Sequence, residues 1–234
     1  MKTSRALIRI VIALLLGFCV IAIAGAITMV ATQTLLADLV KTYPWLSQFT
    51  TTTNVLILSI LLILMLSKGK IATYGFTMPV NMRLIWIIVI GLVLGFVSTL
   101  LTAVLPSKGL TFVEDFSFLQ TVILIWIYAS IGEEILTRGL VQSYLSPLSK
   151  NGFGVLGIFI SLPVLLSAFF FGFMHLPLLT LGIDISTVSI VVVFAFMVGI
   201  AAGYFREKTG SLVPAILVHM FANIGGSLCA LLFE

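Results

Sequence analysis

The 234 residues are 61% hydrophobic and 9% charged, and the mean hydropathy is +1.28. So little polar surface excludes a soluble globule and predicts an all-α, polytopic transmembrane helical bundle. The net charge of +4 needs no acidic partner, because basic residues gathered on one side of a bilayer produce it; with neither a basic patch nor a module signature, nucleic-acid binding is excluded.

A helix needs roughly 20 apolar residues to cross the hydrocarbon core. Seven stretches are predicted to do so: Ile10 to Leu35, Asn54 to Leu66, Leu84 to Leu105, Leu119 to Leu140, Leu156 to Leu181, Ser186 to Tyr204 and Leu212 to Phe233. The first, behind a basic start, far exceeds a signal-peptide core of about 7–15 residues and is read as a retained helix. The second is short unless Thr51 to Thr53 extend it, which leaves Tyr43, Pro44 and Trp45 in an interfacial loop. Lys68 to Arg83, with Gly69, Gly75, Pro79 and Asn81, reads as a loop or a surface-lying segment. No repeat or soluble domain interrupts the chain, so residues 1–234 are read as one integral-membrane domain. Cys19 and Cys229 fall in apolar stretches, where a thiol behaves as a small hydrophobe.

With the N-terminus in the cytoplasm, Lys2, Arg5, Arg9, Lys68, Lys70, Arg83, Arg138, Lys150, Arg206 and Lys208 fall on or near the inner side. Only Lys41 and Lys108 fall outside, as the positive-inside rule requires. Asp38, Glu114, Asp115 and Asp184 then sit in outer loops, and the odd span count places Glu234 outside.

Ionisable groups within a bilayer are costly and mark a functional site by default. Three clusters qualify: Glu133-Glu134 with Arg138, His175, and His219 with Asn223. Residues four apart share a helix face and immediate neighbours point about 100° apart, so Glu134 pairs with Arg138 and Glu133 is the carboxylate left free to react. The alternative is that these charges only mark the inner end of the fourth span. Phe171 precedes His175 by one turn as a packing residue, and Gly172 admits a neighbouring helix. A lone intramembrane histidine also serves by bonding a carbonyl across a helix interface, and His219 with Asn223 would equally serve as interhelical glue, with Gly225 and Gly226 allowing close contact. At 1.5 Å per residue, Glu133 lies about 21 Å from Leu119 and His219 about 10 Å from Leu212, which brings them to one level. His175, about 9 Å from Leu181, does not reach that level, so Pro163 and Pro177 predict an irregular fifth helix.

Together the clusters match one chemistry. A carboxylate and an imidazole hold and deprotonate a water, while a second imidazole and an amide donate to a developing oxyanion. That is equipment for hydrolysing an amide bond. No serine or cysteine stands out as a nucleophile and no G-x-S-x-G elbow is present. Zinc held by Glu133, His175 and His219 is the alternative, although H-E-x-x-H is absent.

The motifs E-E-x-x-x-R, F-x-x-x-H and H-x-x-x-N occur in order, within IGEEILTRG at 131 to 139, FGFMH at 171 to 175 and REKTGSLVPAILVHMFAN at 206 to 223. In this the chain resembles the CAAX-protease and bacteriocin-processing (Abi) family of intramembrane proteases, over roughly Leu119 to Leu232. The resemblance implies a helical bundle, often of eight spans, with a catalytic cavity in the membrane that opens to the cytosol. It implies that Glu133 and His175 activate the water, that His219 and Asn223 form the oxyanion site, and that Glu134 and Arg138 hold the geometry, with no cofactor unless zinc. It implies a hydrophobic, membrane-associated or lipidated protein or peptide as substrate, in a bacterial or archaeal plasma membrane. Relatives of the Ras-converting-enzyme type trim prenylated C-a-a-X proteins, and many bacterial relatives are linked to bacteriocin maturation or self-immunity. A non-catalytic immunity or scaffold protein is a competing reading. So is a proton-coupled transporter, against which stands the lack of an inverted repeat.

Overall fold

Seven helices in the computed structural model are long and apolar enough to cross a membrane, and the model describes residues 3–104, 116–155 and 157–233. Lys2, Lys108, Glu114, Asp115 and Glu234, and the predicted span limits Leu105 and Leu156, lie outside the described residues. The first helix, α1 (Thr3–Gln33), is followed by a short helix, α2 (Ala37–Thr42), which hydropathy does not predict. The next, α3 (Trp45–Ser67), begins nine residues before the expected Asn54. Its hydroxyls explain the difference: Thr50, Thr51 and Thr53 donate to the carbonyls of Leu46, Ser47 and Phe49, so a polar run fits a membrane helix without unpaired donors. Helix α4 (Leu84–Val104) follows the predicted surface segment, which holds a 3-10 turn at Ile71–Tyr74.

The fourth span is one long rod, α5 (Phe118–Leu148), opened by a capping box between Ser117 and Gln120. Only its Ser130–Glu134 turn is α-helical in the middle; Thr121–Ala129 and Ile135–Gln142 on either side are π-helical. Such widened turns occur mostly at functional sites.

The fifth span differs most from expectation. Its predicted start belongs to an antiparallel hairpin, β1 (Gly152–Val155) and β2 (Ile158–Ser161), with Gly152 opposite Ser161 and Gly157 at φ +78° in the turn. Helix α6 (Leu162–Phe173) then begins with Pro163 in its first turn and Ser161 Oγ accepting from Val164 N, and stops at Phe173; a 3-10 stretch, Leu176–Leu181, completes the span. The irregularity predicted from Pro163 and Pro177 is therefore present. Helix α7 (Ile185–Thr209) is capped by Asp184 and closed by Gly210 at φ +72°, and α8 (Val213–Ala230) starts with Pro214 in its first turn.

Two apolar cores flank α5 and α6. Ala13, Val20, Ala24, Ile63, Leu136, Leu140 and Phe170 bind α1 and α3 to one side, and Ile87, Phe171, Ala202, Ala215 and Val218 bind α4, α7 and α8 to the other. The neighbours Phe170 and Phe171 thus face opposite cores, which puts the end of α6 on the seam. One end of the bundle is tied by Arg9 Nη1 donating to Tyr144 O (2.8 Å) and Arg206 Nη2 donating to Ser143 Oγ (2.7 Å). Lys68, Lys70, Arg83, Lys150 and Lys208 belong to the segments at this basic end. At the other end Trp126 Nε1 donates to Ser227 Oγ (3.0 Å), and Tyr128 bonds Thr53. Arg138 joins neither end: it is fully buried mid-span. Outward-facing Leu, Ile, Val and Phe side chains cover the rods, a surface that only hydrocarbon matches.

Candidate active site

The α-helical turn of α5 sends its adjacent glutamates in different directions. Glu134 Oε1 accepts from Arg138 Nη1 at 2.9 Å, with both side chains at 0% exposure. Arg138 Nη1 also reaches Thr137 Oγ1 at 2.6 Å, and its guanidinium lies 4.6 Å over the Phe171 ring. Gly199 of α7 clears the space for it, since a Cβ there would come within 2.9 Å of Arg138 Nη2. The charge pair is thus fully enclosed, which stabilises only because each partner has the other.

His219 joins the two carboxylates. Its Nδ1 lies 3.1 Å from Glu134 Oε1 and its Nε2 4.0 Å from Glu133 Oε2. A carboxylate only accepts, so Nδ1 carries hydrogen and Nε2 is the variable position. Glu133 Oε2 is buried and has no hydrogen-bond partner among the described residues.

His175 sits beyond the last turn of α6 rather than inside a helix. Its Nδ1 is 2.8 Å from Phe171 O; a carbonyl cannot donate, so Nδ1 is protonated and neutral His175 has its lone pair on Nε2. The Phe171 ring stands edge-on to His175 at 5.3 Å and to His219 at 5.2 Å, and so sets the spacing of the two imidazoles. Phe171 packs, as expected, but it also carries Arg138 on its face.

Asn223 lies one turn beyond His219 and ties α8 to α5: Nδ2 donates to Ile125 O at 3.0 Å and to Ser130 Oγ at 3.1 Å. Both amide hydrogens are therefore engaged. Gly172 and Gly225 act as spacers, for a Cβ on either would run into a backbone carbonyl, Val192 O or Leu92 O respectively.

His175, His219, Asn223 and Phe171 line one cavity of about 350 Å³, with apolar walls from α4 and α7 and hydroxyls from Ser98, Thr99 and Ser227. Glu133 does not line it and approaches it through His219 Nε2. Among the described residues no three His, Cys, Asp or Glu side chains are grouped to hold a metal ion. Two contributors escaped sequence reasoning. Ser130, fully buried, was signalled only as a hydroxyl three residues before Glu133 in an apolar run, and Gly91-x-x-x-Gly95, which seats α8, was signalled by its spacing.

The bundle interior holds two carboxylates, two imidazoles and an amide, of which the imidazoles and the amide line one cavity. The family model described as type II CAAX prenyl endopeptidase Rce1-like matches residues 115–225, the stretch that contains all three motifs. That match, over 111 of 234 residues, supports the CAAX-protease family for the motif-bearing part of the chain. No curated protein and no solved structure matches it.

Proposed function

We propose that this protein hydrolyses a peptide bond of a membrane-associated substrate with a water activated by Glu133 and His175. One observation carries the reading: the buried, hydrogen-bond-free Oε2 of Glu133 faces His219 Nε2, on an imidazole whose other nitrogen is engaged by Glu134. Glu133 takes a proton from the water while His175 Nε2 orients it, and the resulting hydroxide attacks the carbonyl carbon. With Nδ1–H on Glu134, His219 donates to the oxyanion from Nε2–H as an imidazolium, its charge offset by the Glu134 carboxylate. Asn223 keeps one amide hydrogen on Ile125 O and turns the other from Ser130 Oγ to the oxyanion. Collapse of the intermediate breaks the C–N bond, and the proton on Glu133 passes to the leaving amine. Glu134 and Arg138 touch no substrate and position His219.

The test is Glu133→Gln, an isosteric change that removes the base. Membrane peptides from cells carrying this variant should retain an uncut substrate that wild-type cells cleave, and His175→Ala and His219→Ala should reproduce the loss with the protein still inserted. Undiminished cleavage by purified Glu133→Gln protein would eliminate the assignment.

A further inference from the structure

From the side chains that line a second cavity, of about 660 Å³, we infer that the basic end of the bundle binds a phospholipid with an anionic headgroup, taken from the adjoining leaflet. The inference goes beyond the catalytic reading and does not depend on it.

Two helix ends build this cavity. Arg83, Trp86 and Ile90 fall at i, i+3 and i+7 across the start of α4, and Tyr204 and Lys208 fall at i and i+4 near the end of α7, so each set forms a stripe along one face. Along the α4 stripe the chemistry changes from guanidinium to indole to aliphatic side chain over about 10 Å, the step from headgroup level into hydrocarbon. On α7 the order repeats, with Lys208 Nζ 5.5 Å over the Tyr204 ring. Trp and Tyr are the residues that settle at this boundary. A soluble anion would leave the apolar part of the wall uncovered, and a bare hydrocarbon chain would leave the cations unmatched. A ligand with both parts satisfies the whole wall.

The positive charge has no counterpart in the protein. Neither Arg83 nor Lys208 enters an ion pair among the described residues, and no acidic side chain lines the cavity. Glu207, next to Lys208, is turned to Ser161, whose Oγ donates to Glu207 Oε2 at 2.6 Å. Asn81, at φ +53°, adds an exposed amide to the same wall. A phosphodiester fits this set, since a guanidinium forks onto two oxygens and an ammonium acts as a point charge. The Ser161–Glu207 bond also ties the β1–β2 hairpin to the end of α7, where Ile158 adds a further wall. Phe153, Val155, Ile158 and Phe159 of this hairpin are 44–47% exposed. Apolar side chains held open beside the helix ends match acyl chains at the headgroup boundary, not water.

Quenching of tryptophan fluorescence by brominated lipid tests the inference on the full-length protein in phosphatidylcholine vesicles. Trp45→Phe and Trp126→Phe leave Trp86 as the single tryptophan. Dibrominated phosphatidylglycerol is compared with dibrominated phosphatidylcholine at equal bromine content. Each cation near an anionic headgroup contributes about fivefold, so phosphatidylglycerol should be preferred at Trp86 by roughly tenfold or more, and Arg83→Gln with Lys208→Gln should cut the preference to under about twofold. Lys68→Gln with Lys70→Gln, exposed at the same end but outside the cavity, should leave it unchanged. Equal quenching by the two lipids, or a preference that survives Arg83→Gln with Lys208→Gln, overturns the inference. So does a preference lost equally in Lys68→Gln with Lys70→Gln, the mark of a diffuse basic surface, or one erased by excess soluble glycerol phosphate, the mark of a site for free phosphate. Native mass spectrometry on protein with its tryptophans intact should show phosphatidylglycerol retained by the parent and lost from Arg83→Gln with Lys208→Gln; equal retention by both counts against the site. None of these readings involves cleavage.

Discussion

Glu134 and Glu133 are adjacent in sequence and opposite in environment. Glu134 bonds Arg138 and His219 with no exposure, whereas Glu133 Oε2 is buried without a hydrogen bond. Removing one partner of a buried pair leaves the other charge uncompensated, so Arg138→Ala should lower stability by about 3–5 kcal/mol. Glu133 makes no hydrogen bond through Oε2, its only ion-pair contact among the described residues is the 4.0 Å approach of His219 Nε2, and it is partly exposed, so Glu133→Gln should change stability far less than Arg138→Ala while abolishing cleavage. Unfolding midpoints of both variants in detergent check this, and equal losses would show that Glu133 is structural. Helical phase made the Glu134–Arg138 pair legible, because four residues on a regular turn share a face. That one imidazole reaches both glutamates was not legible, since it depends on how α8 is pressed against α5.

Helix α8 is pressed there by α4, the element that sequence reading treated as merely apolar. A Cβ on Gly91 would meet Val218 O and one on Gly95 would meet the Ala222 backbone, so the two glycines form the groove in which the His219 and Asn223 stripe lies. Gly95→Leu should push α8 outward; a displacement of about 1 Å at reacting groups costs about 10²-fold in rate. Gly25→Ala on α1, where a Cβ meets nothing within 4 Å, is the control and should change nothing measurable. A cleavage assay on correctly inserted protein compares them, and full activity in Gly95→Leu would mean that α4 does not position the site. Hydropathy located all seven spans because length and apolarity suffice for that. It placed the start of the fifth inside the β-hairpin, whose Phe153, Val155, Ile158 and Phe159 are as apolar as a span but about half exposed. It also could not mark α6 as ending at Phe173, although Pro177 gave the physical hint.

At the scale of the molecule, the segment around Gly75 covers the basic end, held by hydrogen bonds to its own and the α7–α8 turn's carbonyls and by Tyr74 and Phe76 packing against the core. Sequence suggested a surface-lying segment from Lys68 to Arg83, but its docking onto the α7–α8 turn comes from hydrogen bonds to backbone carbonyls that no periodicity encodes. Gly75 is the keystone: it sits at φ +93°, and a Cβ there would come within 2.9 Å of Leu212 Cγ. A β-branched residue forced into that left-handed conformation costs about 1–3 kcal/mol before the clash is counted. Gly75→Val should therefore loosen the cover, lower the melting temperature and speed trypsin cleavage after Lys68 and Lys70, which are already exposed but held in an ordered segment. An unchanged melting temperature and cleavage rate by trypsin in Gly75→Val would show instead that the cover is held elsewhere than at the Gly75–Leu212 contact.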